Sequence, residues 1–493
     1  MELVYLWVEK YKNIHRQGFN FSPRFRCEYD PDINELVIDE NDDYVDIFPD
    51  NINVTAIVGK NGSGKSSVLQ VLDNIFINLL NKQYILIYRE KDKNIVVSNI
   101  ENLSKDELSF PFDKYKILIL DNNHNYRLSD NLISLDKLKI FTKILYLDRN
   151  TNFELTTFMY IPNKIEANIK NIDKIFNDIK KNFPIDKVKR SSFKNNRISL
   201  HNITEQYDKF LICLFYHYAE AITFNDTDTI VDATRKSLMV NNIKYPTKDD
   251  FNRLFKNIEE RYINELNEEE KIFITEYINF FEIDLIDNQG KKYNQLSTGE
   301  RNIFGEFINI FHYIKSGNSK IFLLDEPDNT LHPNWQKQYI NELSIMLNKL
   351  NSSYDKLHFI LTTHSPFLLS DIPKQNIIFL DTDEEGKCKV VDGLNDKKET
   401  FGANIHTLLS DSFFMEDGLM GEFAKDKINN VIKFLKNEKS DIKDKDEAKK
   451  IIEIIGEPFL KQKLEQMYKN KYPKSKEEKI QELEAELERL KND

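Results

Sequence analysis

The chain has 493 residues, enough for two or three domains, and its formal net charge of −12 does not imply a bulk electrostatic grip on DNA, which leaves room only for a local basic patch. Its three cysteines, Cys27, Cys213 and Cys388, lie far apart, in no metal-binding spacing and no disulfide framework, which fits a reducing cytosol. No secretory signal and no apolar run near twenty residues is present, so the expectation is a cytoplasmic protein without a membrane span.

Residues 1–58 alternate apolar and polar positions around Leu3–Val8, Gly18–Phe21 and Leu36–Ile38, the pattern of an antiparallel sheet leading into a strand at Val54–Val58. Directly after that strand, Gly59-Lys60-Asn61-Gly62-Ser63-Gly64-Lys65-Ser66 matches G-x-x-x-x-G-K-[ST] in full, and Ser67 to Leu72 opens a helix expected to run to residue 82. Strand, loop and helix form the context a phosphate-binding loop requires. Backbone N–H groups over Gly59, Asn61, Gly62, Ser63, Gly64 and Ser67 can approach phosphate oxygens, and the helix N-terminus adds a favourable dipole. Lys65 is placed to reach the β- and γ-phosphates, and the Ser66 hydroxyl to hold Mg²⁺; the nucleotide read from this loop is ATP. Short strands follow at Ile85–Tyr88 and Ile95–Val97. Ile117–Leu120 ending in Asp121 has the outline of a carboxylate-tipped strand, but no glutamate follows it, so it receives no catalytic role.

Residues 162–284 read as mainly helical, with Ile165, Ile169, Ile172, Ile175, Phe176 and Ile179 on one stripe. Lys180 to Arg197 holds seven basic residues against the single acidic Asp186, interleaved with Phe183 and Phe193. A solvated face and a nucleic-acid or partner contact both fit such a run.

The chemistry concentrates in residues 285–395. Leu296-Ser297-Thr298-Gly299-Glu300 carries the Ser-x-x-Glu pattern of a capping box, and its helix start offers donors and a positive dipole end to an anion. Ile321–Leu324 suits a strand buried on both faces, ending in Asp325 and Glu326. Asp325 is placed to hold Mg²⁺ and Glu326 to polarise an attacking water. Taken alone, the same residues also fit a strand that ends in a solvated acidic turn. Phe359–Leu361 then leads to Thr362-Thr363-His364-Ser365-Pro366, where His364 has the reach and hydrogen-bonding chemistry to contact a γ-phosphate and its water. Asp381-x-Asp383 lies in a turn composition after Ile377–Leu380, and reads as a polar hairpin.

These motifs, in this order, resemble ABC-type ATPase heads of the SMC, RecF and OLD kind. Leu296–Glu300 is similar to their signature motif with Thr298 in place of the usual glycine, Asp328–Pro333 to their D-loop, and Thr362–Pro366 to their switch-histidine segment. The resemblance implies an α/β fold, a mixed sheet flanked by helices. It also implies a head-to-tail dimer, in which Ser297, Gly299 and Glu300 of one copy meet the γ-phosphate held by the other, with higher oligomers left open. It places Lys12 and Asn13 near the nucleotide, although both are also ordinary turn residues. No glutamine stands where such heads carry their Q-loop; Asp148 and Asn150 are the nearby substitutes.

Phe401–Phe414 and Gly421–Ile428, together with Leu3–Phe25, resemble the flanks of PtuA-type ATPase subunits of Septu anti-phage systems. That likeness implies a small HNH nuclease as partner, with nucleic acid met through the complex. The rival expectations are an SMC- or RecF-like DNA-repair ATPase and a self-sufficient OLD-like nuclease. Phe401, Ile405, Leu408, Leu409, Phe413 and Phe414 form an apolar face expected to pack on the head or hold a partner. Ile480, Leu483, Leu487 and Leu490 repeat at heptad spacing in the tail, which suits a frayed helix or a docking helix. The expected organisation is residues 1–161 and 285–395 as two halves of one head, 162–284 as an insertion, and 396–493 as a C-terminal helical region.

Overall fold

A computed structural model describes residues 1–49, 52–76, 79–90, 93–101, 103, 116–120, 125–128, 131–134, 144, 162–168, 170–181, 188–189, 203–218, 222–223, 230–240, 242–258, 260–315, 319–349, 356–391, 399–411 and 420–473. The chain divides into two compact units, Met1–Phe414 and Met415–Asp493.

The first unit opens with β1 (Glu2–Tyr11), β2 (Ile14–Asn20), β3 (Phe25–Asp30) and β4 (Glu35–Glu40). β5 (Ile52–Gly59) leads through the glycine-rich loop into α1 (Lys65–Phe76), which starts earlier and stops short of the helix expected over 67–82, since residues 79–83 are not helical, and β6 (Tyr84–Glu90) and β7 (Lys93–Ser98) follow. As the alternation predicts, these strands pair antiparallel, in the order β2-β1-β6-β7, with β3 and β4 as a separate hairpin. Next come β8 (Lys116–Leu120), β9 (Asn125–Leu128) and β10 (Asn131–Ser134).

The insertion contains β11 (Pro162–Asn168), α2 (Lys170–Lys181), β12 (Val188–Lys189), α3 (Gln206–Tyr218), β13 (Ile222–Thr223), α4 (Ile230–Val240), α5 (Lys248–Ile258), β14 (Glu260–Tyr262), α6 (Glu268–Glu276) and β15 (Glu282–Asp287). Helices and short strands alternate along this stretch, and the stripe expected from Ile165 begins later. Ile165 sits on β11, opposite Leu285 on one side and Arg261 on the other. Ile172, Phe176 and Ile179 are buried on α2. One apolar residue ahead of a helix matches a helical spacing by coincidence, and only cross-strand pairing reveals the strand.

The central sheet is built from the ends of the chain's two halves. α7 (Thr298–Lys315) precedes β16 (Ser319–Asp325); α8 (Pro333–Gln336), α9 (Tyr339–Lys349), β17 (Leu357–Thr362), α10 (Pro366–Ser370), β18 (Ile377–Thr382), β19 (Cys388–Val391) and α11 (Ile405–Asp411) complete the unit. Among the described residues the sheet order is β10-β9-β8-β16-β17-β5-β18-β19. Strands β8, β16, β17, β5 and β18 run parallel, and β9, β10 and β19 antiparallel to their neighbours, so the sheet is mixed. It is covered on both faces. Phe322, Leu324, Phe359 and Leu361 pack with Phe307, Phe311 and Tyr339, whereas Ile321, Leu323 and Ile360 pack with Leu69, Leu72 and the N-terminal sheet. This two-sided burial explains why Ile321–Leu324 is an unbroken apolar run rather than an alternating one. Helix α7 serves two cores at once, with Phe307 and Ile310 on the sheet and Phe304 and Ile308 in the insertion cluster.

Part of the apolar face expected over 401–414 packs on this unit: Leu408 is buried in the sheet core and Ser370 Oγ donates to the Ala403 carbonyl at 3.0 Å, while Phe401 stays exposed. The second unit contains α12 (Glu422–Leu435), α13 (Lys445–Glu453) and α14 (Pro458–Lys471), closed around Val431, Ala448, Ile452 and Leu464. No described helix is long and apolar enough to cross a membrane. Asp121, Asp148, Asn150, Phe413, Phe414, the heptad tail and most of the basic run at 180–197 lie outside the described residues.

Candidate functional site

Three adjacent parallel strands, β16, β17 and β5, end together, and the chemistry gathers at their C-terminal edge, where open α/β sheets hold ligands. β5 supplies Gly59, where a β-carbon would stand 2.2 Å from the Leu380 carbonyl, so this close approach admits only glycine. The loop turns through Gly62 and Gly64, both at positive φ, and enters α1 at Lys65. Asn61 and Gly62 are exposed, Ser63 and Gly64 buried, and Ser66 and Ser67 half-buried in the first helical turn. Asn13 of the β1–β2 turn braces the loop, its Nδ2 donating to the Gly62 carbonyl at 2.9 Å. Lys12 instead donates to Gln70 on α1.

Buried Lys65 folds back on its own loop, Nζ donating to the carbonyls of Gly59 at 3.0 Å and Lys60 at 3.1 Å. Burial holds its ammonium below the usual lysine range, against the pull of Glu326 and Asp325. The Ser63 hydroxyl is buried without a hydrogen-bond partner. An orphaned buried hydroxyl beside a buried ammonium, under a loop with two left-handed glycines, fits a cradle for an anion.

Asp325 ends β16, and its Oδ1 accepts from Ser66 Oγ at 3.2 Å and from Thr362 Oγ1 at 2.5 Å. The pairing of one hydroxyl with one carboxylate suits a hard cation such as Mg²⁺, which keeps several waters and takes phosphate oxygens. Among the described residues no group of three or more His, Cys, Asp or Glu is arranged to hold a metal, so a cation at Ser66 and Asp325 would need ligands from the nucleotide and solvent.

Glu326 turns into the left-handed region at φ 49°, uncommon for a residue with a β-carbon, and so points away from the strand line. Its carboxyl comes within 3.6 Å of His364 Nε2, past a direct hydrogen bond and suited to a bridging water. Burial raises the Glu326 carboxyl above the ordinary glutamate range, Asp325 adds to this and Lys65 opposes it. Burial, with the Lys65 charge nearby, lowers His364, so its imidazole is neutral near pH 7. The set therefore pairs a base-capable carboxylate with a neutral imidazole.

Behind these residues lies a buried support whose pairings the motifs do not specify. Thr363 Oγ1 donates to buried Asp328 at 2.9 Å, and Ser365 Oγ donates to Gln336 Oε1 at 2.9 Å. Gln336 in turn donates to the carbonyls of Asp328 and Leu331, which fixes the 328–331 loop to the histidine segment. Burial lifts the Asp328 carboxyl to about 6 despite the Thr363 bond.

Ser297 and Glu300 form the expected capping box. Ser297 N–H donates to Glu300 Oε2 at 2.7 Å, and Glu300 N–H donates to Ser297 Oγ at 3.3 Å. Lys291 Nζ also donates to Glu300 at 2.6 Å. Burial works against the Glu300 charge, but these bonds outweigh it and hold the carboxyl below its usual range. Gly299 packs on Thr330. The structure thus brings together Lys65, Ser66, Asp325, Glu326 and His364, while the side-chain bonds of Glu300 run to Ser297 and Lys291. Asp381 and Asp383 lie in the β18–β19 hairpin, Asp383 Oδ1 accepting from the N–H groups of Glu385 and Lys387, the polar turn expected of that composition.

The family described as "AAA domain, putative AbiEii toxin, Type IV TA system" matches residues 54–370, more than half of the chain. The chain is similar to Septu protein PtuA of Bacillus mycoides (strain KBAB4), at 27% identity over 39% of this chain and 25% of that one. It is similar to Endonuclease GajA of Bacillus cereus (strain HuB5-5), at 22% identity over 74% of this chain and 58% of that one. It is also similar to the Retron Vc95 probable ATPase of Vibrio cholerae serotype O1 biovar El Tor, at 24% identity over 66% of this chain and 68% of that one. The match thus spans a quarter of PtuA and less than two thirds of GajA.

Proposed function

The chain belongs to the AAA-domain family described as putative AbiEii toxin, type IV TA system, and from that premise we propose that it is the ATP-binding and hydrolysing regulatory subunit of a prokaryotic anti-phage defence complex, controlling a partner HNH nuclease through ATP-dependent head-to-tail dimerisation. One observation carries the ATPase part. Lys65, Ser66, Asp325, Glu326 and His364 come from three separate stretches and converge at the ends of β5, β16 and β17.

Lys65 exchanges its loop carbonyls for phosphate oxygens when ATP enters, and the loop N–H groups cradle the rest. Ser66 and Asp325 would hold Mg²⁺, which would supply positive charge against the β- and γ-phosphates. Glu326 accepts a proton from the attacking water, and neutral His364 orients that water and the γ-phosphate by hydrogen bonding. Ser297, Gly299 and Glu300 complete the site of a second copy, presenting a helix N-terminus to its γ-phosphate. Closure and opening of that dimer is the signal passed to the nuclease. The likeness to PtuA and to a retron ATPase supports the defence setting.

The test has two parts. Glu326→Gln is expected to bind ATP, stop turnover and trap a dimer in sedimentation velocity; turnover at the parent rate removes the base assignment. Affinity capture from the source cell, read by mass spectrometry, is expected to recover a stoichiometric small HNH protein. Abundant bound DNA with no protein partner would instead favour a DNA-repair ATPase. The likeness to GajA, named an endonuclease, motivates one control. Mg²⁺-dependent nicking by the chain alone, abolished by Asp381→Ala, would mark a self-sufficient nuclease.

A further inference from the structure

We infer that Thr362 is a positioning residue of the hydrolytic site, its one hydroxyl setting the orientation of both Asp325 and Glu326. The inference rests on the ATPase reading above.

Thr362 ends β17 between β16 and β5, in register with Asp325 on one side and Ile57 on the other, and it is fully buried. Its Oγ1 donates to Asp325 Oδ1 at 2.5 Å and accepts from the Glu326 N–H at 2.9 Å. The Glu326 N–H also reaches the Thr362 carbonyl at 3.2 Å. A hydroxyl carries one donor and can accept as well, so both roles are filled at once. A second donor, Ser66 Oγ, falls on the same Oδ1 of Asp325. Among the described residues neither bond falls on Oδ2, which leaves that oxygen to face a cation or its waters. The bond on Oδ1 fixes the plane of the carboxylate and hence the direction of Oδ2.

The second consequence concerns Glu326. Its φ of 49° is an unfavourable setting for a residue with a β-carbon, and such settings persist only where the surroundings over-determine them. Here the N–H of Glu326 is pinned by two atoms of Thr362, and its carbonyl accepts from the Asn329 N–H at 3.1 Å. The left-handed turn is what carries the carboxyl off the strand line toward His364. Thr362 thus acts through Asp325 by its carboxylate and through Glu326 by its backbone.

The test compares Thr362→Val and Thr362→Ser in the full chain. Valine keeps the β-branched shape that suits a strand and deletes the hydroxyl; serine restores it. With Thr362→Val, turnover is expected to fall at least about tenfold. Mn²⁺ affinity, read by electron paramagnetic resonance with a non-hydrolysable ATP analogue, should weaken about tenfold, the lower end of what lost outer-sphere bonds do at metal sites. Metal-free binding of the analogue, which depends on Lys65 and the loop, should stay at the parent value. Thr362→Ser should recover most of both losses, which repair of packing alone would not do. Parent-level turnover and Mn²⁺ affinity in Thr362→Val would overturn the role, and so would a loss that serine does not recover. Glu326→Gln, run beside them, separates the two readings. If it is inactive while Thr362→Val is unaffected, only the positioning role falls. If it turns over at the parent rate, the base assignment falls and the positioning role with it.

Discussion

Gly299 lies against Thr330 so closely that a β-carbon at 299 would stand 2.6 Å from the Thr330 carbonyl oxygen. Asn302, one turn along α7, donates to Thr330 Oγ1 at 2.9 Å. The start of α7 and the 328–331 loop are therefore joined within one chain. Gly299→Ala must push the loop or the helix aside, an overpacking cost of about 1–3 kcal/mol. A lowered melting temperature is expected, with nucleotide binding by the phosphate loop retained and ATP-dependent dimerisation weakened. An unchanged melting temperature together with a full ATP-dependent dimer would show that the contact yields freely and constrains nothing.

Lys65 is the buried cation of the loop, and its loop carbonyls are weaker partners than a triphosphate. Lys65→Ala should weaken ATP binding by about a hundredfold or more, equivalent to roughly 2.7 kcal/mol. Fluorescence titration with a labelled ATP analogue reads this directly. Binding within a few-fold of the parent would mean that the loop N–H groups alone carry the phosphate.

Much of this site is legible in the sequence because its motifs are contiguous. The loop from Gly59 to Ser66 is recognisable without any fold, and Asp325-Glu326 follows an apolar run that only a strand buried on both faces explains. Thr362 falls in a recognisable segment and the resemblance places Asn13 near the nucleotide, but what Thr362, Asn13 and Gln336 bond to is not legible in that way. Each acts across a register or a loop closure: Thr362 through strand pairing with Asp325, Gln336 through the 328–331 carbonyls, Asn13 through Gly62. Ile165 shows the opposite failure, since its spacing suits a helix and its pairing makes it a strand residue. Local pattern reports which residues are apolar; it does not report which neighbours the chain brings to them.

The pH dependence of turnover has a predictable acid limb. Glu326 must be ionised to take a proton, and burial first, then Asp325, raises its carboxyl above the ordinary 4.5. The limb in kcat should therefore lie at higher pH than an ordinary glutamate would give, with activity lost as pH falls through the raised value. His364→Gln should lower the rate yet keep this limb, because the limb is assigned to the Glu326 carboxyl, whose rise comes first from burial and then from Asp325. If the limb vanishes in His364→Gln, histidine and not Glu326 is the titrating group.

His358 governs a separate, structural pH response. It is fully buried; the Leu3 N–H donates to its Nδ1 at 3.1 Å, so Nε2 carries the proton and faces Thr55 Oγ1 at 2.9 Å. Thr55 passes the chain on to the Phe21 carbonyl at 2.6 Å. Burial, with the charges of Lys356, the N-terminus and Arg24, pushes the imidazole down to about 3. Between its unfolded value of 6.5 and about 3 the unfolded chain binds the extra proton. Stability from this group is thus complete above 6.5 and is lost as pH falls, with a slope of at most about 1.4 kcal/mol per pH unit. His358→Gln, which can accept and donate at similar positions, should flatten the acid side of a melting-temperature profile. The same acid slope in that variant would remove the assignment.

Glu306 works with the opposite sign. It is buried on α7, and Tyr339 of α9 donates its hydroxyl to it. Burial lifts its carboxyl to about 8, the Tyr339 bond opposing and Asp328 adding to the rise, so it is a neutral acid at pH 7. Between 4.5 and about 8 the folded chain holds the proton that the unfolded chain has released. Stability from Glu306 is full below 4.5 and is lost as pH rises through 8. Glu306→Gln keeps the shape and cannot ionise, so its melting temperature should decline less between pH 6.5 and 8 than that of the parent. Tyr339→Phe leaves the buried acid without its donor and should cost about 1–3 kcal/mol. Between 4.5 and 6.5 the His358 and Glu306 slopes oppose each other in the parent, so the two single variants should depart from it there in opposite directions. A Glu306→Gln profile that follows the parent to pH 8 would show that the carboxyl is already ionised, and that Tyr339 serves a charged group instead.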